Sequence, residues 1–211
     1  MTLLTLLVIA KQPLPGRVKT RLTPPYTPEE AAALAEASLT DTLNTLLRVP
    51  AHRRVLVLQG TPGPWLPPGY EVVPQTPGGL DERIAAAFAH HADGPALLVG
   101  MDTPHLTPGH LTGVGEDGHD AWFGPAADGG FWALGLADPA RTGHLVRGVP
   151  MSTDRTGAIQ RRRLTDAGLT VRDLPVLRDV DTAADATEVA ALCPPGSRFA
   201  AAVTAHTGAL R

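Results

Sequence analysis

The sequence has little cysteine and no marked excess of charge. Its one cysteine, Cys193, cannot form a disulfide within the chain, so a reducing, cytoplasmic environment is expected. The net charge is −3 and there is no basic stripe, so nucleic acid is not expected as a partner. No apolar run is long enough to cross a bilayer. The first such run, Leu3–Ala10, also lacks the flanking residues of a signal peptide.

Familiar catalytic side-chain sets are missing as well. The eight histidines show no metal-binding spacing. No Ser-His-Asp or Cys-His set has a recognisable context, and Cys193 stands beside two prolines. Histidine-based metal chemistry and nucleophilic hydrolysis are therefore not indicated.

The loop after the first apolar run is rich in proline and glycine and carries cations at alternate positions. At the end of a strand, such a loop offers backbone N–H groups and positive charge to a di- or triphosphate. It lacks the second glycine of a G-x-G-x-x-G fingerprint and the G-K-[ST] ending of a P-loop. A solvated basic loop is the alternative. The candidate phosphate-binding residues are Lys11, Gly16, Arg17, Lys19 and Arg21.

Apolar, β-branched runs alternate with helical patterns along the chain. Several runs are continuously apolar, which is typical of strands covered on both faces. The alternation predicts a three-layer α/β/α sandwich with a mostly parallel central sheet. Two runs that stand close together, Ala121–Gly124 and Phe131–Leu136, predict a small antiparallel element in the second half. The other predicted strands are Leu3–Ala10, Val55–Gln59, Glu71–Val73, Ala96–Gly100 and Thr170–Leu174.

Helix boundaries follow from proline, acidic and glycine residues. One helix is predicted from Pro28 to Leu47, a second over Leu80–Ala92, and a short one from Thr107 to Val114. A fourth begins at Ser152 or Asp154 and ends at Ala167, and a capping box at Thr182 opens the last, which ends at Leu192. The chain is expected to form a single domain over residues 1–192, with an alanine-rich tail of unassigned role over 193–211.

Acidic residues follow three of the predicted strands. Ligands of open α/β sheets gather beyond the carboxyl ends of the strands, so the basic loop and these acids are expected at one edge. Carboxylates there can hold Mg²⁺ or Mn²⁺, which neutralises phosphate oxygens. The acids are Asp102, Asp128 (followed by Gly129 and Gly130), Asp179 and Asp181.

Each of these signals also has a purely structural interpretation. Asp102 is suited to capping the turn before Pro104, and Asp128 to a tight Asp-Gly turn. Asp179 and Asp181 are suited to capping the following helix. Charges on helix faces or near them are usually solvated, and this applies to Lys11, Glu82 and Arg83.

Four segments together resemble a bacterial family of nucleotide-diphospho-sugar-transferase-like proteins with a glycosyltransferase-A fold. The family was long classed as a domain of unknown function, and some members are assigned as glycosyltransferases of arsenosugar biosynthesis. The resemblance extends over roughly residues 1–192 and implies the same fold here. The first segment is the longest and most specific. The segments, in chain order, are Lys11–Leu22, Gly100–Pro104, Gly124–Gly130 and Asp179–Thr182.

The resemblance implies roles for individual residues. Asp102, with Asp181 as second ligand, would coordinate Mg²⁺ or Mn²⁺. Asp128 is, from its position after Ala121–Gly124, the candidate for orienting or deprotonating the acceptor, and Lys19 is the other candidate catalytic residue. Phosphate contacts are implied for Arg17, Lys19 and Arg21, and acceptor contacts for Asp128, Gly129 and Gly130.

These observations predict a metal-dependent transferase with a nucleotide donor. The favoured reaction is glycosyl transfer from a nucleotide sugar to a small-molecule acceptor. The first alternative is nucleotidyl transfer from a nucleoside triphosphate with release of pyrophosphate. The second is a nucleotide-binding module without catalysis, although carboxylates beside a phosphate are costly unless a cation separates them. Short motifs leave the base, the sugar, the acceptor and the oligomeric state open.

Overall fold

The computed structural model describes residues 4–91 and 94–209, and within them seven strands form one sheet. Their order across the sheet is β3-β2-β1-β4-β6-β5-β7. β4 is the middle strand and β1 lies beside it, with β2 on the other side of β1, so the order of the strands reverses between β1 and β4. The strands are β1 Thr5–Lys11, β2 Arg53–Gln59, β3 Glu71–Pro74, β4 Ala96–Val99, β5 Ala121–Pro125, β6 Phe131–Leu136 and β7 Val171–Asp173.

The mixed strand direction predicted from the sequence is confirmed. β1 pairs in parallel with β2 and β4, β2 with β3, and β5 with β7. β6 is antiparallel to both of its neighbours, β4 and β5. The close pair of apolar runs in the second half therefore forms the predicted antiparallel element. The predicted residue Leu3 lies outside the described residues.

The helices largely match the prediction, but the short helix Thr142–Val146 was not predicted, and the predicted end of the second helix, Ala92, lies outside the described residues. Capping boxes of Thr27 with Glu30 and of Thr182 with Asp185 open α1 and α5. The segment predicted as a short helix from Thr107 contains only a 3₁₀ turn, Pro108–Leu111. The described helices are α1 Pro28–Leu47, α2 Leu80–His91, α3 Thr142–Val146, α4 Thr156–Asp166, α5 Ala183–Leu192 and α6 Arg198–Ala209.

The start of α4 corrects the prediction that Ser152 or Asp154 caps this helix. α4 begins at Thr156, after Arg155. The Thr153 N–H donates to Thr156 Oγ1 at 3.0 Å, and Ser152 has a φ of 59°. The segment before the helix is thus held in a turn by a threonine pair. The glycine after the other end of α4, Gly168, has a φ of 75°, the left-handed conformation that commonly ends a helix.

Two apolar cores lie on opposite faces of the sheet. Alternate side chains of β1 point to opposite faces, so Leu6 and Val8 share a core with Leu39 of α1. Leu7, between them, shares the other core with Phe88 of α2. This is the predicted three-layer arrangement, and it leaves the ends of the central strands open for a site.

Part of the segment that the sequence left as a tail forms α6. Phe199 and Val203 of α6 are buried with Leu34 of α1. The Asp41 carboxylate accepts hydrogen bonds from Ser197 Oγ at 2.7 Å and from the Phe199 N–H at 3.0 Å, which fixes the start of α6 on α1. Among the described helices, none has the length and apolar character needed to cross a membrane.

Candidate functional site

A cleft of about 490 Å³ opens at the carboxyl ends of β1 and β4. Its volume is in the range of small-molecule sites, and its place is where ligands of open α/β sheets bind. It brings together nearly all of the sequence-predicted site residues. Those that line it are Lys11, Arg17, Lys19, Arg21, Asp102, Asp128, Gly130 and Asp181.

The basic loop enters this cleft mainly through Lys19. Its side chain is only 9% exposed, whereas that of Arg21 is 75% exposed. Lys19 has a φ of 50°, an uncommon backbone conformation for a residue with a side chain. Gly16, with a φ of 70°, does not line the cleft and serves the turn of the loop instead. The loop thus turns one cation inward and leaves the others near solvent.

The Lys19 ammonium lies between two carboxylates from distant parts of the chain. Lys19 Nζ is 2.7 Å from Asp102 Oδ1 and 3.2 Å from Asp181 Oδ1. Arg21 Nη1 also reaches Asp181, at 3.3 Å. Burial lowers the pKa of Lys19, but the attraction of Asp102 and then of Asp181 outweighs it and leaves this pKa above its usual value. Lys19 is therefore a charged ammonium held by two acids.

Backbone contacts fix the two acidic loops to each other. The Val180 N–H donates to Asp102 O at 3.0 Å, and Val180 itself is buried. Ser38 Oγ of α1 donates to Met101 O at 2.8 Å. The Lys11 N–H contacts Met101 Sδ at 3.3 Å, so the loop after β4 is also tied to the end of β1. Asp102 and Asp181 consequently converge through the fold and not only through Lys19.

Asp179 also belongs to this cluster, although its sequence context gave it no role apart from that of Asp181. It lines the cleft, and its Oδ1 is buried without a hydrogen-bond partner in the described part of the chain. Burial first, and then the charges of Asp102 and Asp128, raise its pKa to about 8. At neutral pH Asp179 is therefore a protonated acid. The alternation of acid, buried valine and acid in Asp179–Asp181 is the signal that could have indicated a second inward-facing carboxyl.

The loop between β5 and β6 presents Asp128 to the cleft. Asp128 is exposed, and its Oδ1 accepts from the Gly130 N–H at 2.8 Å. Gly129, predicted to contact the acceptor, does not line the cleft. Its φ is 90°, and a Cβ there would stand 2.0 Å from Asp154 O, so glycine is needed for close packing. Gly129 O accepts from the Gly157 N–H at 2.8 Å, which docks the loop on α4.

A second polar group, at the β2–β3 side of the cleft, was given no role from the sequence. Arg83 Nη1 is 3.2 Å from Gln59 Oε1 and 3.3 Å from Gln75 Oε1. Gln75 is itself fixed, because its Nε2 donates to Ala10 O at 2.7 Å. Glu82 instead accepts from the Gly79 N–H at 2.8 Å, a structural role. Arg83 thus lines the cleft in a fixed position. The apolar residues that line the same cleft include Ile9, Leu80, Ile84, Phe131 and Met151.

Residues 33–153 match the model of a family described as "Uncharacterized protein conserved in bacteria" (DUF2064). This match covers more than half of the chain. The chain belongs to DUF2064. No curated protein matches its sequence. The resemblance found in the sequence motifs is thereby confirmed.

Solved structures give the fold of this DUF2064 protein a wider context. It is similar to a protein from Desulfovibrio desulfuricans G20, provisionally named a nucleotide-diphospho-sugar transferase. The TM-score is 0.85 at 25% identity, over 100% of this chain and 97% of the other. Rv0371c from Mycobacterium tuberculosis H37Rv follows with a TM-score of 0.57 at 21% identity, over 89% and 97% of the two chains. A structure of the same mycobacterial protein with manganese has a TM-score of 0.50.

A more distant likeness links the DUF2064 chain to a synthetase that was solved with CTP. The CMP:2-keto-3-deoxy-manno-octonic acid synthetase, solved with CTP, has a TM-score of 0.56 at 12% identity, over 90% of this chain and 98% of the other. Identity at this level shows the fold alone. Together with the Desulfovibrio structure it confirms the predicted nucleotide-diphospho-sugar-transferase type of sandwich.

The donor set of the DUF2064 cleft fits a divalent cation of limited affinity. Asp102 and Asp181 already direct oxygens at one positive centre, the Lys19 ammonium. Within residues 4–91 and 94–209, no group of three or more His, Cys, Asp or Glu side chains is placed to hold a metal ion. Mg²⁺ is commonly held by one or two carboxylates, with waters and substrate phosphates completing its shell. The residues therefore fit such an ion, provided that a phosphate joins them.

Proposed function

We propose that this protein is a transferase that uses a nucleotide donor, and that it acts as a glycosyltransferase from a nucleotide sugar to a small-molecule acceptor. The observation that carries the proposal is the Lys19 ammonium between Asp102 and Asp181 in the cleft at the ends of β1 and β4. The full-length likeness to the Desulfovibrio protein supports sugar transfer.

The cations of the basic loop are proposed to hold the donor phosphates. Arg17, Arg21 and Lys11 line the cleft, and a guanidinium offers paired donors that match phosphate oxygens. Lys19 is proposed as the catalytic cation that stabilises the charge developing on the leaving phosphate. Removal of such a placed charge commonly costs about 10²–10³-fold in rate.

Asp102 and Asp181 are the proposed ligands of Mg²⁺ or Mn²⁺. The manganese complex of Rv0371c, which shares the fold, supports a metal of this kind. The ion would supply positive charge to the phosphate oxygens of the donor.

Asp128 is proposed as the group that orients or deprotonates the acceptor. It is an exposed carboxylate at the cleft, in the loop that Gly130 and Gly157 hold in place. A carboxylate beside the reacting hydroxyl can act as general base. Asp179, protonated, is suited to donating a hydrogen bond to a phosphate or sugar oxygen.

Nucleotidyl transfer is the second candidate. The specific observation in its favour is the density of cations in one loop, which suits a pyrophosphate leaving group. The CTP complex of a protein with this fold is consistent with it. In that reaction the triphosphate is cleaved at its α-phosphorus, and the acceptor becomes nucleotide-linked.

One assay separates the two reactions. The protein is incubated with a panel of small-molecule acceptors, with nucleotide sugars or nucleoside triphosphates and with Mg²⁺ or Mn²⁺, and free nucleoside diphosphate and pyrophosphate are measured. Nucleoside diphosphate from a nucleotide sugar supports the proposal, whereas pyrophosphate from a triphosphate supports the alternative. Asp102→Asn should lower turnover by at least about 10²-fold. Asp166→Asn, an exposed acid outside the cleft, is the matched control. Tight nucleotide binding without turnover would leave a binding module and overturn the proposal.

A further inference from the structure

The identity of the cation between Asp102 and Asp181 leads to a further inference, which rests on the proposed function. Lys11 and Lys19 are the only lysines of the chain, and the other sixteen of its 18 Lys and Arg residues are arginines. Lysine has a compact point charge, whereas arginine has a broad, planar fork. Among the described residues that line the cleft, the most deeply buried cation thus has the side chain that most resembles a small metal ion.

The geometry places the ammonium where a metal would bind. Lys19 Nζ is 2.7 Å from Asp102 Oδ1 and 3.2 Å from Asp181 Oδ1. A Mg²⁺ ion needs oxygen ligands at about 2.0–2.1 Å. A Mg²⁺ ion bound to the same two Oδ1 atoms would therefore lie within the volume that the ammonium occupies and would face its positive charge. The metal ion and the ammonium thus compete for these two oxygens.

Lys19 also has little alternative contact where it stands. Its side chain is 9% exposed, so it gives up its hydration, and the two carboxylates are what compensates for that loss. For a metal to enter, Lys19 must move to another anion. Arg17 and Arg21, on the same loop, mark where the donor phosphates are proposed to lie, which is the nearest anion that the proposed function provides.

We propose that Lys19 excludes the divalent cation from Asp102 and Asp181 until a phosphate-bearing donor draws the ammonium away. Metal and donor then bind cooperatively, because each removes an obstacle for the other, and their coupling is reciprocal. Without a donor, the two acids remain neutralised by the lysine. The metal site is thus assembled only in the complex that can react.

The main test measures Mn²⁺ binding to the full chain without any nucleotide, by the electron paramagnetic resonance signal of the free ion. Lys19→Met should bind Mn²⁺ at least about tenfold more tightly than the wild type, because the competing charge is gone. Arg162→Met is the control, since Arg162 is an exposed cation that does not line the cleft; its Mn²⁺ affinity should equal that of the wild type. In the double variant Lys19→Met/Asp102→Asn the gain should disappear.

The proposal is overturned if Lys19→Met binds Mn²⁺ no more tightly than the wild type, or if the gain survives the loss of Asp102. No donor or acceptor enters this experiment, so its failure is distinct from a failure of the transferase proposal, which turnover alone decides.

A second measurement uses the wild type and does not depend on the folding of a variant. Labelling with ¹⁵N-lysine gives side-chain signals from Lys11 and Lys19 only. Mg²⁺ alone should leave the Lys19 ammonium signal in place, and Mg²⁺ with inorganic pyrophosphate should shift it. A shift of Lys19 with Mg²⁺ alone, or none with both ions, contradicts the proposal.

Discussion

The contact between α4 and the Asp128 loop allows one substitution to test both stability and site geometry. A Cβ on Gly157 would stand 2.3 Å from Gly130 O and 2.9 Å from Gly129 O, whereas real Cβ contacts are essentially never below 3.0 Å. In Gly157→Ala the loop or the start of α4 must therefore shift by about 0.7 Å, the difference between 2.3 and 3.0 Å. The hydrogen bond from the Gly157 N–H to Gly129 O, now 2.8 Å, must lengthen as well.

Overpacking of this kind costs about 1–3 kcal/mol of folding free energy. For a chain of this size that lowers the melting temperature by about 2–12 °C. Since misplacement of a reacting group by about 1 Å can cost about 10²-fold, we also expect turnover to fall by up to that factor if Asp128 acts on the acceptor. The loss should appear mainly in kcat.

Scanning calorimetry is the decisive assay, with Gly143→Ala as control. Gly143 is also a helical glycine, but nothing lies within 4 Å of a Cβ placed on it. That substitution should be stabilising by about 0.5–1 kcal/mol, because alanine has the higher helix propensity. If Gly157→Ala has the same melting temperature as the wild type, the close packing of the loop on α4 is refuted.

Three further predictions concern stability. Asp41→Ala should lower the melting temperature by about 2–8 °C, since Ser197 Oγ and the Phe199 N–H lose their acceptor. Asp41→Asn should lower the melting temperature by less. An unchanged melting temperature in Asp41→Ala would show that α6 needs no cap. Burial lowers the pKa of His105 to about 4, so the unfolded chain binds a proton at a higher pH than the folded chain does. The free energy of unfolding should therefore fall by up to about 3 kcal/mol as the pH drops from 6.5 to 4. His105→Gln should remove this pH dependence in denaturant titrations. Because the pKa of Asp179 is raised to about 8, the folded chain holds a proton that the unfolded chain loses near pH 4. The wild type should therefore lose stability relative to Asp179→Asn as the pH rises from 4 to 8. Parallel plots of unfolding free energy against pH for the two proteins would contradict a buried acid.

Local rules were sufficient for the elements with strong boundary signals. Thr27 and Glu30 satisfy each other's backbone donors, and a proline occupies the first turn, so α1 was predictable to the residue. The edge on which the basic loop and the acids meet also followed from the sequence, because parallel strands end on the same side. α6 did not follow, since its alanine-rich sequence shows only Phe199 and Val203 as apolar marks, and its start depends on Asp41 from another helix.

The finer properties of the site arise from contacts that no short motif contains. The protonation of Asp179 depends on its burial and on Asp102 and Asp128, which are distant in sequence. The arrangement of Arg83 depends on Gln59 and Gln75, which belong to the ends of other strands. Gly129 looked like a ligand contact in the motif, whereas its required conformation comes from the backbone of Asp154.

The charges that line the cleft argue for coupled binding of anion and cation. Five Lys and Arg side chains and four Asp side chains line the cleft, so cations are in excess, and the raised pKa of Asp179 increases this excess. The positive excess lies at exposed Lys11, Arg17 and Arg21, where it attracts a polyanion from solution. Within the described part of the chain, the ion-pair partners of Asp102 and Asp181 are Lys19 and the outlying Arg21. If Lys19 turns to a bound phosphate, these acids face the same anion unprotected, and a divalent cation between them becomes the favourable solution.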